Sequence, residues 1–284
     1  MTQPRTLLLT AFAMIPLSAN SWLCRAALRD TAIDAATFTS VRLISGALML
    51  WALVWLTRRG RSDKGSWISA LALFGYAALF SFAYLSLTAA TGALLLFGAV
   101  QATMIGAGLA RGERLDGVQI AGVALAFGGF LGLLMPGWSA PPLGAALMMT
   151  GAGIAWGIYS VRGKGAADPI RATAGNFLLT VPITALLSLV TIQWASFDRT
   201  GFAYAVASGA LTSALGYALW YKVLPLLRAT TAATVQLSVP VIVAIGGVLL
   251  LGEPIRLRLV LASSAVLCGI GLVILERQRL APPA

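Results

Sequence analysis

The 284-residue chain has no histidine, two cysteines and nine acidic residues. Each shortage excludes something. Without His, the commonest metal ligand and neutral-pH base is missing. Cys24 and Cys268 both lie in apolar stretches and form neither a metal-ligand spacing nor a disulfide framework, so no metal and no cofactor is expected. The acids are Asp30, Asp34, Asp63, Glu113, Asp116, Asp168, Asp198, Glu253 and Glu276, and every one falls in a polar gap or at the end of an apolar stretch. An enzyme needs a nucleophile–base pair or metal ligands, and the apolar stretches offer almost nothing to build one. No GxxxxGK[ST] loop occurs, which removes a nucleotide-driven pump.

What the chain has is hydrocarbon. It is 59% hydrophobic and 10% charged, with a mean hydropathy of +0.88. A bilayer span needs about 20 apolar residues. Ten stretches qualify, near 7–28, 36–57, 66–87, 92–110, 117–134, 142–162, 172–192, 201–222, 229–251 and 256–275. A soluble chain of this size could not bury so much apolar surface. The expected fold is therefore an all-α integral membrane protein with ten transmembrane helices.

The net charge is +11. In a soluble protein that would suggest nucleic acid; here the distribution favours the lipid-topology explanation, because cytoplasmic loops are enriched in Lys and Arg. With the N-terminus inside, the inner side collects Arg5, the cluster Arg58, Arg59, Arg61 and Lys64, then Arg111, Arg114, Arg162, Lys164, Arg171, Lys222, Arg228, Arg277 and Arg279. The outer side keeps Arg25, Arg29, Arg199, Arg256 and Arg258. Both termini are expected in the cytoplasm, and nucleic acid is not an expected partner.

The uncharged segment MPGWSAPP near 135–142 divides the chain into residues 1–137 and 138–284, with five stretches each. An odd number per half turns the second half upside down, the inverted-repeat construction common in secondary transporters. A shift of 140 positions aligns Thr91 with Thr231, Gly106 with Gly246, Gly112-Glu113 with Gly252-Glu253 and Gly129 with Gly269. Tyr76, Phe80 and Tyr84 recur every four residues in the third stretch, as do Ser213, Tyr217 and Tyr221 in the eighth. That spacing aligns side chains on one helix face.

Ten stretches in five-plus-five, a Gly-Glu after the fourth and ninth, and Pro240 in the ninth resemble the EamA-type drug/metabolite transporter superfamily. Ala229–Leu275 carries the closest likeness, and Arg42 stands where many members have an Arg in the second span. Val100 departs from the pattern where Pro240 would have its counterpart. Within the superfamily the chain looks most like the YddG-type amino acid exporters. The resemblance implies an inner-membrane secondary transporter exporting amino acids, aromatic or otherwise apolar, by alternating access. Efflux of cationic drugs or quaternary ammonium compounds coupled to protons is the alternative. The missing membrane-embedded carboxylate argues for a neutral or zwitterionic substrate moved by uniport.

Candidate substrate-binding residues follow from polar and aromatic groups inside the spans. Tyr76, Phe80, Tyr84, Tyr217 and Tyr221 form the two stripes, either lining a pocket or packing helices. Trp156, Tyr159 and Ser160 share a face in the sixth stretch, and Asn20 and Trp22 follow Pro16 in the first. Gln101 and Gln236 each offer a donor and an acceptor in the fourth and ninth. Pro16, Pro182, Pro225 and Pro240 are expected to interrupt or end helices. Gly153/Gly157 and Gly128/Gly132 have GxxxG spacing. Arg25 and Arg42, taken to lie near outer helix ends, either snorkel to headgroups or form an electropositive vestibule. The partners expected are a small metabolite and the lipid bilayer; a monomer suffices.

Overall fold

The protein is described by a computed structural model over residues 3–57, 65–112, 114–135, 140–163, 166–223 and 235–280. The regular elements among them are all helical. They are α1 (Gln3–Asp30), α2 (Ala35–Leu56), α3 (Trp67–Tyr84), α4 (Ala89–Ala110), α5 (Gly117–Leu134), α6 (Leu143–Gly163) and α7 (Pro169–Val190). After a short 3-10 turn, Ile192–Trp194, comes α8, which runs unbroken through Arg199–Val206, a π-helical stretch Ala207–Leu215 and Gly216–Val223. Then follow α9 (Ser238–Leu251) and α10 (Leu257–Leu280). Of the stretches expected to span, eight meet both length and hydropathy among the described residues: α2 to α8 and α10. α9 is apolar but has 14 residues, and α1 falls outside the eight.

The distribution of polarity is that of a membrane protein. Large apolar side chains such as Leu48, Trp55, Leu186, Leu189 and Leu249 point outward, while Asn20, Arg42, Gln101, Thr180, Ser208 and Thr212 are buried. Water outside would demand the reverse; hydrocarbon outside favours it.

Short polar residues in the gaps start the helices. Asp34 caps α2 by accepting from Ala36 N and Thr37 N, Thr88 caps α4, and Asp168 caps α7 ahead of Pro169. Asp116 and Gln119 close a capping box at α5. α9 ends where Gly252 takes φ +62, so that the amides of Gly252 and Glu253 fold back on Val248 O and Gly247 O. Only glycine enters that left-handed region without steric cost. The prolines behave less disruptively than expected. α1 continues through Pro16 and α7 through Pro182, and Pro240 sits in the first turn of α9. Pro225, Glu113 and the basic cluster at 58–64 lie outside the described residues.

The helices pack in a self-corresponding pattern. α5 packs on α10, α2 on α7 and α4 on α9. α3 on α6 has its counterpart in α8 on α1, α4 on α6 in α9 on α1, and α3 on α7 in α8 on α2. Exchanging each helix with the one five places later returns the same set for these larger contacts. The correspondence extends to single residues where α5 crosses α10. Gly122 lies against the carbonyl of Gly269, and Gly129 against the carbonyl of Ala262. A 140-residue shift converts the first contact into the second. Close backbone approach of this kind needs small residues.

Of the two GxxxG spacings, one is a contact. A Cβ on Gly153 would strike the Leu96 carbonyl and Ala99, and one on Gly157 would strike Thr103, so this pair seats α6 on α4. Gly128 and Gly132 have nothing within 4 Å of a Cβ position.

Candidate substrate site

The centre of the molecule is built on Tyr76. Its hydroxyl accepts hydrogen bonds from Asn20 Nδ2 at 3.1 Å and Arg42 Nη2 at 3.0 Å. Asn20 Oδ1 in turn accepts from Ser208 Oγ at 2.6 Å and Thr212 Oγ1 at 3.3 Å. One polar network therefore joins α1, α2, α3 and α8. The π-helical stretch of α8 serves this geometry: it brings Gly209 against the Arg42 carbonyl and Ser45 Oγ and presents Ser208 and Thr212 to Asn20. Such wide turns recur at functional sites because they re-aim side chains without ending the helix.

A row of rings runs through the same centre. Tyr84 meets Phe80 edge-on at 4.7 Å between centroids, Phe80 meets Tyr76 at 5.4 Å, and Tyr76 meets Trp156 at 4.8 Å. Trp156 also contacts Tyr159 at 5.4 Å and Tyr217 at 5.1 Å, and Tyr217 reaches Phe177 at 6.2 Å. The two stripes legible in the sequence thus converge, and Trp156 is the residue where they meet. These spacings fit ordinary tilted and edge-to-face packing.

The remaining candidates are dispersed. Trp22 Nε1 donates to Val243 O at 3.0 Å, which ties α1 to α9. Tyr84 donates to Ala89 O at 3.2 Å, Tyr159 accepts from Asn176 Nδ2 at 3.4 Å, and Ser160 turns back onto its own helix at Trp156 O. Gln101 is buried in α4, and Gln236 is half-buried just ahead of α9. The Tyr221 side chain lies outside what the structure describes.

Neither arginine that was taken to lie at a helix end snorkels. Arg42 is 2% exposed, about 10 Å along α2 from its first residue at 1.5 Å per residue. Its guanidinium carbon sits 5.1 Å from the Tyr76 ring centre and 5.0 Å from that of Phe80, a cation–π arrangement. Arg25 points into the protein, with Nε 2.9 Å from Glu253 Oε1 and Nη1 2.8 Å from Tyr84 O. Glu253 is 7% exposed, and its second oxygen accepts from Ala89 N at 2.7 Å. The only acid buried among the described residues is therefore engaged on both oxygens. Sequence reasoning passed over Ser208, Thr212, Asn176 and Phe177 as site residues. Arg42 had a signal, being a cation well inside an apolar span; the hydroxyls had none.

A helical bundle with an apolar exterior and this polar, ring-lined interior is a multi-pass membrane protein. Residues 143–275 match the EamA-like transporter family. Over 278 residues, 98% of this chain and 97% of the relative, it is 56% identical to an uncharacterized protein of Pseudomonas aeruginosa. It is 31% identical over 169 residues to an uncharacterized transporter of Archaeoglobus fulgidus, spanning 58% of this chain and 60% of that one. A protein crystal structure shares the fold at a TM-score of 0.68 and 18% identity, over 97% of this chain and 99% of the other.

Proposed function

We propose that the chain is a ten-helix inner-membrane exporter of amino acids with aromatic or other apolar side chains, built from inverted repeats 1–137 and 138–284, with both termini cytoplasmic. The exchange of contacts between helices five apart supports the repeat, and the paired Gly122–Gly269 and Gly129–Ala262 approaches support the same 140-residue relation. Two halves in opposite orientation can rock about a central site and expose it to each side in turn.

The observation that carries the substrate reading is the convergence of both stripes on Trp156 beside the Tyr76 network. Rings receive an apolar side chain; Asn20, Arg42 and the α8 hydroxyls supply polar contacts. Among the described residues, the centre has no unengaged carboxylate, since Glu253 is held by Arg25 and Ala89. That favours movement down a gradient without proton coupling. A buried guanidinium also opposes a cationic cargo by direct repulsion.

Purified protein in liposomes tests this. Aromatic amino acid flux is expected with and without a pH gradient at similar rates, and Gln101→Ala and Gln236→Ala ask whether the amides take part. Flux that requires the gradient overturns uniport; no flux of any apolar amino acid overturns the substrate class.

A further inference from the structure

Two buried polar atoms of the centre have no hydrogen-bond partner: Arg42 Nη1 and Ser213 Oγ. Arg42 lies on α2 and Ser213 on the π-helical stretch packed against it. Gly209 lies on the Arg42 carbonyl, and Ser213 follows four residues later on the same helix, one turn before Tyr217. Arg42 stays protonated in any protein environment. It joins no ion pair among the described residues, where Arg25 takes Glu253 and Arg29 takes Asp30. The rings of Tyr76 and Phe80 and the Tyr76 hydroxyl use one side of the guanidinium and leave Nη1 free.

A buried cation lacking a counter-ion is strongly unfavourable, and within a membrane such groups mark functional sites. We infer that Arg42 and Ser213 form the subsite for the carboxylate of the transported molecule. The inference rests on the exporter reading above and adds the chemical group that the site requires. One positive charge and two free donors match one carboxylate, whose two oxygens accept from the guanidinium and the hydroxyl. A phosphate would bring further charge and acceptors without matching donors. Tyr76 and Phe80 flank Arg42, Tyr76 meets Trp156 and Trp156 meets Tyr217, and these rings receive the apolar remainder of the molecule.

The test compares a carboxylate with its neutral amide, beside the amino acid that shares the carboxylate. Phenylalanine, 3-phenylpropionate and its neutral amide, 3-phenylpropionamide, are titrated into the purified full chain, with tryptophan fluorescence as readout and gel filtration confirming folding. Phenylalanine and 3-phenylpropionate are expected to saturate, with the amide weaker by at least about thirtyfold, as for loss of one partner of a buried charge pair. Arg42→Gln is expected to erase that preference. Should Arg42→Gln fail to fold, Ser213→Ala is the second variant, expected to weaken both carboxylates and leave the amide unaffected. An amide that binds as well as the acid, or no saturation by either carboxylate, overturns the subsite. Arginine-dependent binding of 3-phenylpropionate without phenylalanine flux in liposomes would retain the subsite and overturn the amino acid reading. Phenylalanine flux with no preference for the acid would do the opposite.

Discussion

Glu253 and Arg25 are joined by a 2.9 Å ion pair between the α9–α10 turn and α1, in the interior of the protein. The second Glu253 oxygen caps the start of α4 at Ala89. A single carboxylate thus fastens three parts of the fold that are far apart in the chain.

Removing that carboxylate leaves the guanidinium without its counter-charge and the α4 amide without an acceptor. Glu253→Ala is expected to destabilise by about 3–5 kcal/mol, read as a lower melting temperature in detergent. Glu253→Gln keeps an acceptor for Ala89 and is expected to lose less. Equal losses in the two variants would show that the cap contributes nothing.

Asp34 makes stability depend on acid. Burial pushes its carboxyl up, but hydrogen bonds from the Thr37 side chain and from the amides of Ser196, Thr37 and Ala36 outweigh it and hold the group below its ordinary value. A folded-state value below the unfolded one, near 3.9, stabilises the protein above that pH. The contribution is lost as pH falls through the lower folded value. Melting temperature is expected to be insensitive to pH near neutrality and to drop below about pH 4, with Asp34→Asn lowering it at neutrality and flattening that decline. A parallel acid limb in both proteins would refute the assignment.

Tyr84 and Trp156 should respond differently to truncation. Tyr84 is fully buried and fills the space beside Gly92, so Tyr84→Ala leaves a cavity expected to cost about 3–5 kcal/mol, as for other large aromatic deletions. Trp156 is only partly buried, at the junction of the ring rows. Trp156→Ala is expected to reduce amino acid flux with little change in melting temperature, and Trp156→Phe to recover part of it. Unchanged flux in Trp156→Ala removes the aromatic pocket.

The two GxxxG spacings predict opposite outcomes. Gly153→Val forces a side chain into the Leu96 carbonyl and is expected to separate α6 from α4, seen as loss of folded protein in gel filtration. Gly128→Ala meets nothing and is expected to stabilise slightly, by about 0.5–1 kcal/mol from helix propensity. Destabilisation by Gly128→Ala would mean that a partner covers that face.

The stripes at 76–84 and 213–221 were readable because helical spacing is a local property: residues four apart share a face whatever the helix packs against. The corresponding error concerned Arg42. Counting along the chain put it inside the second stretch but near its outer end, whereas α2 starts at Ala35 and carries it about two turns in. Snorkelling depends on what surrounds the stem, and Tyr76 and Phe80 come from a different helix.

Hydropathy by itself determined that this chain lives in a bilayer, since no small soluble fold can hide such a proportion of apolar surface. Gap residues such as Asp34, Asp116 and Asp168 determined where helices begin, because caps act within one turn. Only the tertiary structure decided that Arg25 would hold Glu253, that Gly153 would touch α4 while Gly128 would not, and that Arg42 would keep a free donor. Those outcomes depend on which helix faces come together over long sequence separations, and a repeating pattern of hydrocarbon leaves that choice to packing.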